Sequence, residues 1–140
     1  MKVAIIGSRS ITNRDWVNYH LDSHIKDWED DVFGYTCLVP PVILSGGARG
    51  CDTLAEEWAK GRGLDFIKFK PYHMIDSGVA YEPRFFFTRN KQLVDSADRV
   101  VAFWDGKSNG TADVIRYATK KGVPLLVIKY DKAEANKVGT

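Results

Sequence analysis

Residues 41–52 read Pro41-Val42-Ile43-Leu44-Ser45-Gly46-Gly47-Ala48-Arg49-Gly50-Cys51-Asp52: an apolar run that breaks on glycines and then enters a helical pattern. A short, nearly continuous apolar run bounded by turn residues is the pattern of a strand buried on both faces, as in a parallel sheet. Beyond Asp52, Leu54, Trp58 and Ala59 follow the helical period. The stretch therefore predicts strand, Gly-rich turn and helix, the first half of a β-α-β crossover.

The same unit recurs in both directions. Lys2–Ile6 is a similar run ending at Gly7, and Asp65–Phe69, Arg99–Trp104 and Pro124–Ile128 repeat it, each bounded by Gly, Pro or Asp. Helical spacing connects them: Val17, Leu21, His24 and Trp28 in one stretch, then helices over Arg84–Ser96 and Thr111–Lys121. Strands alternating with helices pair in parallel through right-handed crossovers. The expected class is α/β: a three-layer Rossmann-like domain with a mainly parallel sheet of about five strands flanked by helices. Residues 31–40 and 70–83 read as irregular connections; the second leaves a strand's carboxyl end and is either a lid or a tolerated insertion. Residues 1–130 are expected to form one domain, with 131–140 a polar tail that frays.

Bulk properties narrow the partner. The chain has 140 residues, enough for one core without a metal or disulfides. Twenty Lys and Arg against eighteen Asp and Glu give a net charge of +2, too little for the broad positive field of a non-specific nucleic-acid binder. Nucleic acid is therefore not the expected partner. Cys37 and Cys51 form no C-x-x-C pair, which fits a reducing compartment. The apolar run Val3–Ile6 is too short for a signal peptide or a membrane span, so a cytoplasmic location without membrane contact is expected.

The predicted topology places four segments at the carboxyl ends of strands: Gly7-Ser8-Arg9, Ser45 to Asp52, Arg89-Asn90 on the third helix, and Trp104-Asp105-Gly106-Lys107-Ser108-Asn109-Gly110-Thr111. Gly46, Gly47 and Gly50 let the backbone turn sharply and bring amides, Ala48 included, toward a ligand at a helix N-terminus. The same residues also read as a plain connection, with Thr53 and Glu56 as a capping box. Gly106, Ser108, Gly110 and Thr111 form a second such turn, offering amides and hydroxyls to another anionic or sugar oxygen. Arg9, Arg49 and Arg89 suit paired hydrogen bonds to phosphate, or each is a solvated surface charge. Asp52 and Asp105 suit ribose hydroxyls, with Asp52 also a candidate helix cap. Trp104, Phe85, Phe86, Phe87, Tyr72 and Tyr81 are candidates for stacking on a base or for the core. Cys51 beside Arg49 reads as a nucleophile or, more commonly, a small buried residue. His20 and His24 are spaced for a metal but have no third ligand, so neither metal nor cofactor is expected.

These four motifs resemble the SLOG superfamily, in particular its small stand-alone YAcAr branch, over residues 2 to about 128. The resemblance implies a Rossmann-like fold and a nucleotide or nucleotide-derived signal as ligand. It also implies a homodimer or higher homo-oligomer, since relatives often dimerise through exposed helix faces. Relatives include the LOG phosphoribohydrolases, which cleave a nucleoside monophosphate at its N-glycosidic bond, and DprA, which binds single-stranded DNA. The LOG pattern P-G-G-x-G-T-x-x-E carries a carboxylate three residues after its Thr; that position is Val114 here. Asp113 points about 100° away around the helix. The family's arginine-lysine pair stands as Arg89-Asn90. The expected function is a nucleotide sensor or sequestering module; the alternatives are a LOG-like hydrolase and, behind it, a DprA-like binder.

Overall fold

Val3, Ala4, Ile5 and Ile6 are all buried, as a strand covered on both faces requires. In the computed structural model, which describes residues 1–47, 49–70 and 83–138 (28–32, 83–86 and 138 by main chain alone), they form β1 (Lys2–Gly7) at the middle of a five-stranded sheet. β4 (Val42–Ser45), β5 (Phe66–Lys68), β6 (Arg99–Trp104) and β7 (Leu125–Lys129) complete it in the order β5-β4-β1-β6-β7, every pair parallel. The connecting helices are α1 (Arg14–His24), α2 (Cys51–Gly61), α3 (Pro83–Ser96) and α4 (Asn109–Lys121).

Alternation along each strand sends neighbouring side chains to opposite faces, which divides the core in two. Val3, Ile5, Ile43, Val101 and Phe103 pack with Trp16, Val17, Leu21, Leu54 and Trp58 on one side. Ala4, Ile6, Leu44 and Val100 pack with Leu93, Val94, Val114 and Ala118 on the other. The result is the expected three-layer, Rossmann-like α/β architecture. The sheet reverses its winding between β1 and β6, so the crevice outside their carboxyl ends is the switch point where open parallel sheets take ligands.

Three expectations are corrected. Residues 31–40 are not irregular: β2 (Trp28–Val32) and β3 (Tyr35–Val39) form a separate antiparallel hairpin. Trp28 therefore opens a strand, and α1 stops at His24, which is exposed and not part of the packing stripe. Beyond Tyr130 the chain forms α5 (Lys132–Val138) and buries Ala135. Glu134 on α5 accepts from Trp16 Nε1 at 2.8 Å and pairs with His20 Nε2, pinning α5 to α1. The bond from His20, then that from Trp16, holds the Glu134 carboxyl below its ordinary value. The 70–83 connection falls almost wholly outside the described residues. Among those described, no helix is long and apolar enough to cross a membrane.

Trp16 joins these layers: it is fully buried, edge-on to Phe103 and Tyr130, and bonded to Glu134. Trp16→Ala should lower the unfolding free energy by about 3–5 kcal/mol. A denaturant midpoint unchanged from that of the parent chain would contradict this packing.

Candidate functional site

The glycines fix the site because of what surrounds them. A Cβ on Gly7 would lie 2.3 Å from Cys51 Sγ, and one on Gly50 would lie 2.3 Å from the Arg9 carbonyl oxygen. The exit of β1 and the start of α2 are thus in backbone contact. Gly50 caps α2 with φ +77°, a conformation that L side chains rarely adopt. Asp52, in the first helical turn and 3% exposed, accepts from Gly7 N at 3.2 Å through Oδ1. It is therefore not the helix cap. The capping-box reading is also corrected, because α2 has no side-chain cap bond and Glu56 pairs with Lys60 at 2.7 Å and Lys68 at 2.9 Å. Those two lysines, Lys60 first, hold the Glu56 carboxyl below its usual value.

Arg89 and Asn90 are both buried at this edge. Arg89 Nη1 donates to the Gly46 carbonyl at 2.5 Å and the Phe69 carbonyl at 3.2 Å, and Nε donates to Asn90 Oδ1 at 2.8 Å. This guanidinium holds the turn after β4 against the exit of β5. Burial pulls its pKa down, opposed by the charge of Asp52 and reinforced by that of Arg9. Ser45 ends β4 fully buried, and its Oγ has no hydrogen-bond partner among the described residues. Ala48 lies outside the described residues. Arg9 and Arg49 are exposed at the rim, and Gly47, at φ +75°, is exposed on the turn.

The second turn is joined to the first through β1. Ser8 is buried; its Oγ lies 3.4 Å from Thr111 Oγ1 and accepts from Asp105 N at 3.1 Å. Asp105 folds the turn onto itself: Oδ1 accepts from Lys107 N at 2.8 Å and Ser108 N at 2.7 Å, and Oδ2 from Ser10 Oγ at 2.6 Å. Both oxygens are engaged in shaping the loop. Burial alone raises Asp105, but the bonds from Ser10, Ser108, Lys107 and Ser8 outweigh it and bring the pKa from 3.8 to about 2. Ser108 caps α4 by backbone alone, and Thr111 Oγ1 reaches Ser108 Oγ at 3.5 Å. Gly106 has φ +84°, whereas a Cβ on Gly110 would meet nothing.

All four motifs thus come together at one sheet edge. Two lysines join them that the motif reading did not include. Lys68 runs alongside Gly47, its Cδ 2.8 Å from where a Cβ would be; Lys129 runs alongside Gly106, at 3.2 Å through Cε. The available signal was their position, the last residue of β5 and of β7. Ser10 was also missed; only its nearness to Gly7-Ser8-Arg9 pointed to it. Trp104 donates from Nε1 to the Ser108 carbonyl at 3.1 Å, which ties it to the turn. Phe87 is 41% exposed. The side chains of Tyr72, Tyr81, Phe85 and Phe86 lie outside the described residues.

Two chemical alternatives change. Cys51 is wholly buried, and burial followed by the charge of Asp52 pushes its thiol well above the ordinary range, the opposite of an activated nucleophile. Val114 is 1% exposed inside the second core, so no carboxylate stands where a LOG-type enzyme carries one. Asp113 is half-buried, with Oδ1 3.9 Å from Arg116 Nη2 and Oδ2 unpartnered among the described residues.

Comparison with known proteins agrees with this fold. Residues 1–73 match the model of the YspA, cpYpsA-related SLOG family. The Gene 61 protein of Mycobacterium phage D29 is 33% identical over 94 residues, which are 61% of this chain and 69% of that protein. Solved structures that share the fold include these three. DNA processing protein A from Helicobacter pylori, studied for its single-stranded DNA binding mode, has a TM-score of 0.66 at 23% identity over 94% of this chain. Its counterpart from Streptococcus pneumoniae gives 0.67 at 19% over 99%. The molybdenum cofactor binding protein of Rippkaea orientalis gives 0.63 at 19% over 98%. The chain spans 66%, 53% and 80% of those three chains respectively.

Asp105 offers a test of the second turn. With its folded pKa about 2 against 3.8 for the free side chain, it contributes stability above the unfolded value. That contribution is lost as pH falls from about 4 to about 2. Asp105→Asn should be less stable than the parent at pH 7, and the gap should close across that window in urea titrations. A gap independent of pH would show that the carboxylate does not hold the turn.

Proposed function

The chain belongs to the YspA, cpYpsA-related SLOG family, and on that premise we propose that it binds a nucleotide or nucleotide-derived small molecule across the β4–α2 and β6–α4 turns. It acts as a sensor or sequestering module. The observation that carries this reading is Ser45 Oγ, a fully buried hydroxyl without a partner among the described residues, where β4 enters its Gly-rich turn. A buried hydroxyl left without a hydrogen bond costs stability, so its retention there favours a ligand or ordered water as its partner. The helix ends agree. α1 is capped by the Asn13 side chain, whereas α2 and α4 begin at the two turns without a side-chain cap bond. Their first-turn N–H groups and positive dipole ends suit two anionic groups or an anion and a sugar.

In this reading a phosphate lies at the amides of Gly47 to Gly50, within reach of Lys68 and the rim arginines Arg9 and Arg49. The second turn, with Ser108, Thr111 and Lys129, receives a further phosphate or ribose oxygen. Ser8, Arg89, Asn90, Asp52 and Asp105 hold the two turns in place. Binding without bond cleavage follows from Val114, since N-glycosidic cleavage needs a carboxylate to activate water or steady oxocarbenium charge. A small ligand rather than nucleic acid follows from the net charge of +2.

A panel containing AMP, ADP-ribose and cyclic ADP-ribose should yield at least one compound that raises the melting temperature and is recovered intact by chromatography. No shift at millimolar concentration with any member would overturn the reading, and release of free base would move it to hydrolysis. A single-stranded oligonucleotide should bind weakly under the same conditions; tight binding that falls steeply with salt would reverse the choice of partner.

Gly47→Val is the sharpest substitution. It places a β-branched residue at φ +75° beside Lys68, whose flexible chain can give way, whereas the same change at Gly50 would strike the Arg9 backbone. The variant should fold, at a cost of about 1–2 kcal/mol, and lose ligand affinity at least tenfold by calorimetry. Unchanged affinity would place the ligand elsewhere.

A further inference from the structure

Glu56, on α2, faces two lysines. Oε2 pairs with Lys60 Nζ at 2.7 Å along the same helix, and Oε1 with Lys68 Nζ at 2.9 Å, reached from the end of β5. The two partners differ in setting. The Lys60 side chain is 66% exposed, an i,i+4 partner of the kind that contributes little in water. The Lys68 stem instead lies against the β4–α2 turn: its Cγ, Cδ and Cε are 3.1, 2.8 and 3.3 Å from where a Cβ on Gly47 would be. Helical side chains lean toward the N-terminus of their helix, so Glu56 carries its carboxylate back toward the first turn of α2. The Lys68 amine is thus held beside the turn but bonded to the protein's own anion.

We propose that Glu56 is an internal competitor for the anion site: it withholds Lys68, and an anion at the β4–α2 turn draws that amine away while Lys60 stays on Glu56. The inference rests on the phosphate reading of that turn. Lys68 suits exchange, because an ammonium on a four-carbon stem redirects by bond rotation, without movement of β5. Arg89 does not, since its bonds to the Gly46 and Phe69 carbonyls are part of the support. Exchange also strands no charge: Glu56 is half-buried and retains Lys60, so loss of one cation leaves it paired. A phosphate ester carries about −1.5 to −2 charges at pH 7 against one for a carboxylate, which favours the exchange.

The signs follow from this competition. Affinity for the anion is the gain at the turn less the strength of the Glu56–Lys68 pair. Removing the Glu56 charge releases Lys68 and raises affinity. Removing Lys60 leaves Glu56 wholly to Lys68 and lowers affinity, although Lys60 itself lies in the last turn of α2, away from the Gly-rich end. Both effects pass through Lys68. A support role for Glu56, in which it aims Lys68 at the ligand, gives the opposite sign for the first substitution. A long-range charge effect gives the same signs but does not require Lys68.

Inorganic phosphate, titrated into the full chain and followed through the amide resonances of Gly47 and Gly50, reads the turn directly. Glu56→Gln should bind about fivefold more tightly than the parent, and Lys60→Met about twofold more weakly, the range of partly exposed ion pairs. Both substitutions keep a good helix former, and melting curves should show each variant folded. In a Lys68→Met background, which keeps the stem beside Gly47, both effects should vanish. Weaker or unchanged binding by Glu56→Gln, with phosphate still bound by the parent, would overturn the proposal alone. So would effects that persist without Lys68. A parent chain whose Gly47 and Gly50 amides do not respond to phosphate would overturn it together with the phosphate reading.

Discussion

The exit of β1 and the start of α2 approach so closely that neither Gly7 nor Gly50 has room for a Cβ, and the site depends on that contact. With the two backbones touching, Cys51 fills the space behind Gly7 and Asp52 comes within hydrogen-bonding distance of Gly7 N. A longer side chain at 51 would push the helix away, and with it the amides of the β4–α2 turn. The same contact sets the direction of the chain after β1. Ser8 consequently enters the sheet edge between β1 and β6, where it meets both Thr111 and the main chain of Asp105. One steric restriction thereby aligns two turns that are some sixty residues apart in sequence.

Charge is arranged in layers around that contact. Arg89 is spent on two carbonyls and an amide, a role that its neighbourhood of glycines does not announce, whereas Arg9 and Arg49 remain at the rim. A buried guanidinium bonded to two main-chain carbonyls and a side-chain amide oxygen is a rigid support rather than a mobile clamp. Lysines on flexible stems then lie beside each turn: Lys68 next to Gly47 and Lys129 next to Gly106. Fixed dipoles position and flexible cations adapt, a division suited to a ligand whose phosphate is constant and whose remainder varies.

The main sheet was legible because its central strands β1, β4 and β6 are covered on both faces, which leaves short, nearly continuous apolar runs. The hairpin was not legible, for three local reasons. Glu29, Asp30 and Asp31 have low strand propensity, Trp28 sits one helical step beyond His24, and Phe33-Gly34 lacks the usual turn signature. α5 escaped notice because its stability is tertiary: a short polar helix held by Glu134 against Trp16 and His20 carries little signal of its own. In the site, glycine spacing revealed where the backbone turns. It did not reveal which polar residues face the turns and which support them. Asp52, Asp105 and Arg89 are all placed by partners distant in sequence, Gly7, Ser10 and Gly46.

The packing around Val114 bears on how such a fold divides between binding and catalysis. Val114 belongs to the core formed by Ala4, Ile6, Leu93, Val94 and Ala118, on the face where α3 and α4 meet. A carboxylate introduced there would have to remain ionised among apolar side chains, and burial of an unpaired charge is too costly for the surrounding packing to tolerate. The absence of a carboxylate at position 114 is therefore not a feature of the rim of the site. It is built into the contact between two helices, and the hydrophobic core of this chain has closed over the position that chemistry would need. The backbone turns lie outside that core, so the proposed phosphate site does not depend on a carboxylate at position 114.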